Sequence, residues 1–494
     1  MLLAACGGDP LKLSGVTPSA GFVAADEPHA VAVGRDLLQH GGNAADAAAA
    51  MGLTLAVTLP SRASLGGGGA CIVRRGRDID QTGSVFFGKH ETPPPPQAIE
   101  FMPRAAHDGA AVGVPTLARG LFAVQVKYGK LRWPQLVAPA ENMARFGAPV
   151  SRALIRDIAA AHADITGPDG KPLAEGDVLP QGDLADTLAE LRVQGGGALA
   201  TGRLAEQIVG GSGGAIDAAA LRTVVPIWSA PQSVAFGNNV VYFASGPGGE
   251  LAEKLWHNVR KEADSGLYAA LLRAVDSAPQ AGDPAQRAFA IADAGATALA
   301  LPPERAAPET SDSATSFVVV DGRGDAVACS LTIGRMFGAG RVLGNTGILA
   351  SMPVPGAVDG VSGAAMLVTN DNTRKLLGAF AGGGDRSGPE AMIQVALNVM
   401  AARQSMPDAF ATARVYAASP GRFYVEPGIP TGNREATQIA ALGAVNAVMC
   451  PSGLPVEAPD CVAQTDTRAL GVTQSFKSPA PWHYQEPVFP HDAD

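Results

Sequence analysis

The sequence predicts an α+β fold in which antiparallel sheets stack on one another and helices cover the outside. Three observations predict it. Hydrophobic residues make up 47% of the 494 positions and charged residues only 17%, enough apolar side chains for a sizeable core. Strand-like runs follow one another in pairs, with helical runs before and after them. Sixty glycines and 38 prolines provide turns and close backbone approaches.

The elements follow in order. Residues 21 to 60 read as helices. "EPHAVAVGRDLLQHGG" has apolar residues at helical spacing and a Gly-Gly stop. "NAADAAAAMGLTLAVTL" is apolar nearly all round, which predicts a buried helix, and Pro60 ends it. "SLGGGGACIVRR" reads as a Gly-rich turn and a strand. Residues 112 to 160 are helical and amphipathic around "WPQLVAPAENMARFG". "NNVVYFASGPGGELAEKLWHNV" reads strand, turn, helix, and residues 283 to 300 give another helix. The polar loop "LPPERAAPETSDSA" is the best internal boundary, although no linker divides the chain cleanly. Strands follow in "TSFVVVD", "DAVACSLTI" and "RVLGNTGILAS". "AAMLVTN" and "RKLLGAFAGGG" form a pair joined by "DNT". "PEAMIQVALNVMAARQ" is a helix and "GRFYVEP" a strand, and the last thirty residues read as irregular.

Charge and cysteine usage narrow the function classes. A net charge of -9 without a run of like charges argues against a nucleic-acid partner, which needs a basic footprint. Arg74, Arg75 and Arg77 read as a hairpin turn with solvated charges. No window is long and apolar enough for a transmembrane helix. Leu3-Ala4-Ala5-Cys6 resembles a bacterial lipobox, which would place a lipid on Cys6. On that reading residues 1-20 are a truncated lipoprotein signal and leader, and the protein is periplasmic or membrane-anchored. If the match is chance, the protein is cytoplasmic. Cys71 and Cys329 sit in apolar strand-like runs and read as buried thiols. Cys450 and Cys461 bracket a Pro-rich loop and suit a disulfide outside the cytoplasm. The eight histidines are scattered, and no metal-ligand spacing appears.

Three turns are rich in glycine, at 66 to 70, 245 to 250 and 381 to 388. None carries a phosphate-loop ending. Each reads either as a tight connection or as bare N–H groups aimed at a developing oxyanion. "AFAGGG" is the strongest oxyanion candidate, because it follows a strand and precedes a helix.

Taken in order, these motifs resemble the γ-glutamyltransferase (γ-glutamyltranspeptidase) family over roughly residues 20 to 445. The resemblance rests on "GGNAADAAAAMGLTLAVTLPSRASLGGGGACIV", "AVGVPTLARGLFAVQVKYGKLRWPQLVAPAENMARFGAPVS", "FASGPGGELAEKLW", "SFVVVDGRGDAVACSLTIGRMFGAGRVLGNTGIL" and "GAFAGGG" with "IQVALNVM". It implies a four-layer αββα N-terminal nucleophile hydrolase sandwich of two antiparallel sheets. It also implies self-cleavage into a large part, 21-313, and a small part, 314-494, intertwined in one globular domain. The new N-terminal residue of the small part would be nucleophile and base at once, since a free α-amino group titrates near neutrality. No cofactor and no metal are needed for that chemistry. The implied substrate is a small γ-glutamyl peptide or related amide.

The residue-by-residue carry-over is uneven. Counting back from Asp321 puts the nucleophile register on Ala314, which has no hydroxyl. A one-residue slip makes Thr315 the nucleophile, and a slip in a strand changes the face a side chain points to. Ser313 needs the opposite slip. Gly383 and Gly384 retain the oxyanion turn. The family's carboxylate-binding Arg falls at or near His90, with Lys89 beside it as a point charge rather than a fork. The family's substrate-contacting Asn maps to Gly334, and Ser362 remains of a Ser-Ser pair. Three explanations stay open. The chain is a divergent γ-glutamyltransferase or related amidohydrolase acting through Thr315 or a neighbouring hydroxyl. Alternatively it is an unprocessed, catalytically inactive homologue serving as an exported binding or envelope protein. Or Ala314 is an engineered Thr-to-Ala change.

Overall fold

The computed structural model describes residues 21–76, 93–264, 288–292, 308, 312–354, 363–419, 421–455 and 459–476. Two antiparallel sheets dominate them. The first has seven strands, in the order Val472–Phe476, Gly21–Ala25, Asp312–Asp321, Ala326–Arg335, Gly68–Arg74, Gln97–Phe101 and Ile227–Ser229. The second has six, in the order Val462–Thr465, Ala444–Leu454, Leu376–Gly383, Ala364–Asn370, Asn239–Phe243 and Gln232–Phe236. In each sheet strands from before and after residue 314 stand side by side.

Alternation along the strands sorts the core into layers. In the Asp312–Asp321 strand, Val318 and Val320 face inward and pack with Ala365, Leu367, Ala379 and Ala381 of the second sheet. Phe317 and Val319 face outward and pack under the helices Pro28–Gln39 and Ala44–Thr58. On the far side, Phe243, Met366 and Phe380 of the second sheet pack with Trp256 and Met392 of two outer helices. The order is helix, sheet, sheet, helix, the four-layer α+β sandwich.

Local chemistry explains the helices nearest the functional region. Glu27 caps the Pro28–Gln39 helix by accepting from the Ala30 N–H at 2.9 Å, and Pro28 sits in the first turn. Asn43 and Asp46 form a reciprocal capping box at the start of Ala44–Thr58. Every residue of that helix is buried. Its small side chains let it lie between other helices and the sheet.

Five sequence expectations are corrected. Gly21–Ala25 is a strand between two others in the first sheet, not part of a helix. All five of its residues are buried, so helical periodicity beyond residue 27 carried no information about it. Residues 341–351 form turns closed by a Val342–Leu349 bridge rather than a strand. The positive φ angles of Gly344 and Gly347 break the extended run there. Val472–Phe476, in the stretch read as irregular, is an edge strand of the first sheet. Arg74 is buried, not solvated, because its guanidinium donates to the Gly324 and Arg374 carbonyls. Cys71 and Cys329 are joined by a disulfide rather than being thiols. They stand directly opposite each other in paired antiparallel strands, with Cα atoms 4.1 Å apart. Cys450 and Cys461 are also joined, closing their Pro-rich loop. Among the described residues, no helix is long and apolar enough to cross a membrane.

Candidate active site

The Asp312–Asp321 strand is extended because Thr315, Val318, Val319 and Val320 are β-branched and alternate between two buried faces. Its N-terminal end meets the Gly-rich turn of the second sheet. Ala314 and Gly384 exchange both backbone hydrogen bonds, each at 2.9 Å. A Cβ on Gly383 would stand 3.2 Å from the Ala314 carbonyl oxygen and 3.2 Å from the Thr315 carbonyl carbon. Gly384 has φ +89°, a conformation that favours glycine. The two sheets therefore touch backbone to backbone at this point, and only glycine allows it.

Two consecutive peptide carbonyls here are held by donors. The Thr332 hydroxyl donates to the Ser313 carbonyl at 2.6 Å. The Ala314 carbonyl accepts from the Gly384 N–H at 2.9 Å and from the Arg62 guanidinium at 3.3 Å. Arg62 is fixed by a fork onto Asp157, with contacts of 2.6 and 2.8 Å, and the Ser61 hydroxyl adds a third bond to Asp157 at 2.7 Å. Burial pushes the Asp157 carboxyl up, but the Arg62 charge and these hydrogen bonds outweigh it and hold Asp157 below its usual range.

The hydroxyls nearby differ in their partners. Ser313 donates to the Ser61 carbonyl at 3.1 Å. Ser316 donates to the Ala381 carbonyl at 3.1 Å. Thr315 donates to the Asp26 carboxylate at 2.8 Å. Asp26 also accepts from the Ser316 N–H at 3.2 Å and from Asn446 at 2.7 Å, and the Thr465 hydroxyl orients Asn446 at 2.7 Å. Burial raises Asp26 above the usual carboxylate range, although Asn446, Arg62, Thr315 and Ser316 pull the other way. Burial likewise raises Asp385, next to the turn, against the opposing pull of Ser387, the Gly443 N–H and the Arg62 charge. Ser313, Ala314, Thr315 and Ser316 have no exposed surface.

The structure thus brings three of the sequence-derived residues together: Thr315, Gly383 and Gly384. By alternation Ala314 shares the inter-sheet face with Ser316, while Thr315 stands on the other face yet turns its hydroxyl to Asp26. Gly334, at the register of the family's Asn, has φ +84° beside a bulge, and a Cβ there would stand 2.8 Å from the Met352 Cβ. Lys89, His90 and Ser362 lie outside the described residues. Asp26, Arg62, Asp157, Thr332 and Asn446 were missed from sequence. The usable signal was charge bordering an apolar setting: Asp26, with Glu27, directly after "FVAA", and Arg62 just before the first Gly-rich turn.

Comparison with known proteins agrees with this architecture. The gamma-glutamyltranspeptidase family model matches residues 30–269. The glutathione hydrolase proenzyme of Bacillus subtilis (strain 168) is 34% identical over 206 residues, 38% of this chain. That of Escherichia coli (strain K12) is 29% identical over 393 residues, 67% of this chain. The chain spans 35% and 65% of those two relatives' own lengths. Among solved structures, a cephalosporin acylase from Bacillus halodurans superposes with a TM-score of 0.71 at 19% identity, covering 96% of this chain and 99% of that one. That likeness concerns the fold, a sandwich of two sheets between helices. Over residues 30–269 the chain is thus similar to the gamma-glutamyltranspeptidases, and over nearly its whole length it shares the fold of the acylase.

Proposed function

We propose that the protein is an amidohydrolase of the γ-glutamyltransferase kind. It hydrolyses or transfers γ-glutamyl groups of glutathione-like peptides through an autoprocessed N-terminal hydroxyl nucleophile. Thr315 is that nucleophile, and Gly383 and Gly384 form the oxyanion turn. One observation carries the reading. The Gly384 N–H already donates to a peptide carbonyl on the strand that would supply the nucleophile, the geometry an acyl-transfer site requires. Lys89, His90 and Ser362 are the residues we assign to the substrate's polar groups. The large and small parts remain together as one intertwined body after processing. Two disulfides support an exported protein, since such bonds persist in oxidising compartments, and Cys6 is its lipid site.

Release of the anilide from γ-glutamyl-p-nitroanilide, and of glutamate from glutathione, tests the reading on the purified full chain. Turnover by wild type that is lost in Thr315→Val supports it. No turnover from a chain whose N-termini have been sequenced refutes it. A specific observation favours the rival reading of an inactive homologue: the family's hydroxyl is replaced at Ala314, inside a segment without exposed surface. On that reading the protein stays uncut and binds rather than hydrolyses.

A further inference from the structure

We propose that the chain cleaves itself between Ala314 and Thr315, one bond beyond the family register, with Asp26 as proton acceptor and Gly384 and Arg62 as the oxyanion donors. The inference rests on the reading above and names the machinery that reading needs.

Two consecutive carbonyls, those of Ser313 and Ala314, are polarised by donors. The Ser313 carbonyl is followed by Ala314, which offers no nucleophile. The Ala314 carbonyl is followed by Thr315, whose hydroxyl is 2.8 Å from a carboxylate. Of the hydroxyls at 313, 315 and 316, Thr315 alone has a carboxylate partner. Attack by Thr315 on the carbonyl before it closes a five-membered ring. The donors to the Ala314 oxygen lie where negative charge would develop, one a backbone N–H and the other a cation held by Asp157. Burial raises the Asp26 carboxyl, which makes its ionised form a stronger base, and hydrogen bonds from Thr315, Ser316 and Asn446 pull against that rise.

The step balances as an acyl shift followed by hydrolysis. The Thr315 Oγ1 passes its proton to Asp26 and bonds to the Ala314 carbonyl carbon. The carbonyl oxygen takes the negative charge against Gly384 and Arg62. The intermediate collapses, the bond from that carbon to the Thr315 nitrogen breaks, and the nitrogen takes the proton from Asp26. Ala314 is now an ester on Thr315, which has a free α-amine. A water molecule hydrolyses the ester, leaving a carboxyl on Ala314 and the hydroxyl back on Thr315. When Ala314 withdraws, the Gly384 N–H loses its acceptor and becomes available to a substrate carbonyl.

N-terminal sequencing and intact mass of the reduced full chain test the proposal. The expected result is a second N-terminus at Thr315. Asp26→Asn should slow cleavage by about 100-fold or more, the contribution of a positioned proton acceptor. Thr315→Val, which keeps the shape, should abolish cleavage while circular dichroism and the thermal melt stay those of a folded chain. Thr315→Ser should retain it. A second N-terminus at any other residue overturns the inference, as does a folded wild-type chain that stays uncut or a Thr315→Val variant that is still cut. The two readings fail separately. Turnover from a chain beginning at another residue sinks this inference together with the assignment of Thr315 as nucleophile but leaves the amidohydrolase activity standing, and a chain cut at Thr315 without turnover sinks the proposed activity alone.

Discussion

The disulfide between Cys71 and Cys329 should be the larger covalent contributor to stability, and its weight follows from where it sits in the chain. It spans 258 residues, whereas Cys450–Cys461 spans 11. In the chain-entropy description a cross-link stabilises by shrinking the unfolded ensemble, and the effect grows with the logarithm of the loop. For these separations it gives about 5.5 kcal/mol and about 2.8 kcal/mol, so the long link should count roughly twice the short one. The comparison is made in a Thr315→Val background, so that the chain remains one piece. Cys71→Ala/Cys329→Ala and Cys450→Ala/Cys461→Ala are unfolded in urea without reductant, and their losses of unfolding free energy are compared. Equal losses, or a larger loss from the short link, would refute the loop argument. Titration of the denatured, unreduced protein should find no thiol at any of these four cysteines. In the wild-type chain the long link also joins the two sides of the Ala314–Thr315 bond. Cleaved protein should therefore migrate as one species without reductant and as two with it.

Two further outcomes are expected. Ala314→Thr places a hydroxyl directly after the Ser313 carbonyl, which Thr332 already polarises at 2.6 Å. N-terminal sequencing of that variant should find a new terminus at position 314, and its absence would show that the bond is not poised. Asp321 is buried beside Asp325, and burial followed by the Asp325 charge pushes its carboxyl up to about 8 from an ordinary 3.8. The folded chain therefore holds a proton that the unfolded chain releases above about pH 4. This contribution to stability is fully present below that pH and fades as pH rises towards about 8. Asp321→Asn should flatten the fall in urea midpoint between about pH 5 and about pH 8, and an unchanged slope would count against a buried proton there.

Much of the architecture was legible because the apolar pattern alternates in the strands and repeats helically elsewhere. "TSFVVVD" and "DAVACSLTI" extended into the paired strands Asp312–Asp321 and Ala326–Arg335, and the buried alanine-rich helix was Ala44–Thr58. Gly21–Ala25 was missed for a physical reason. A strand buried on both faces has no polar beat, and five apolar residues leading into a helix read as part of it. The Cys71–Cys329 bond was missed because its partners became neighbours through pairing of strands far apart in the chain. Nothing local to either cysteine distinguishes a buried thiol from half of a cross-strand bridge.

The site divides in the same way. The Gly-rich turn was visible because close approach and positive φ restrict those positions to glycine, a constraint written into the residue type itself. Counting back from Asp321 put the nucleophile register on Ala314, and the structure pairs that residue with Gly384 of the turn. What the sequence could not rank was one hydroxyl against another. Ser313, Thr315 and Ser316 are consecutive or nearly so, and any of them can be drawn beside a glycine turn. Their difference lies in a carboxylate 289 residues away from Thr315 and in a guanidinium 252 residues away from Ala314. A hydroxyl next to a carbonyl is present in every serine and threonine and does nothing by itself. It becomes reactive when a base stands on its proton and donors stand on the carbonyl oxygen at once. Asp26 meets the first condition and Gly384 with Arg62 the second, on opposite ends of one residue-to-residue link. On the cleavage proposed above, the loss of the hydroxyl at 314 moves the reactive bond by one residue and leaves the Gly-rich turn where it was.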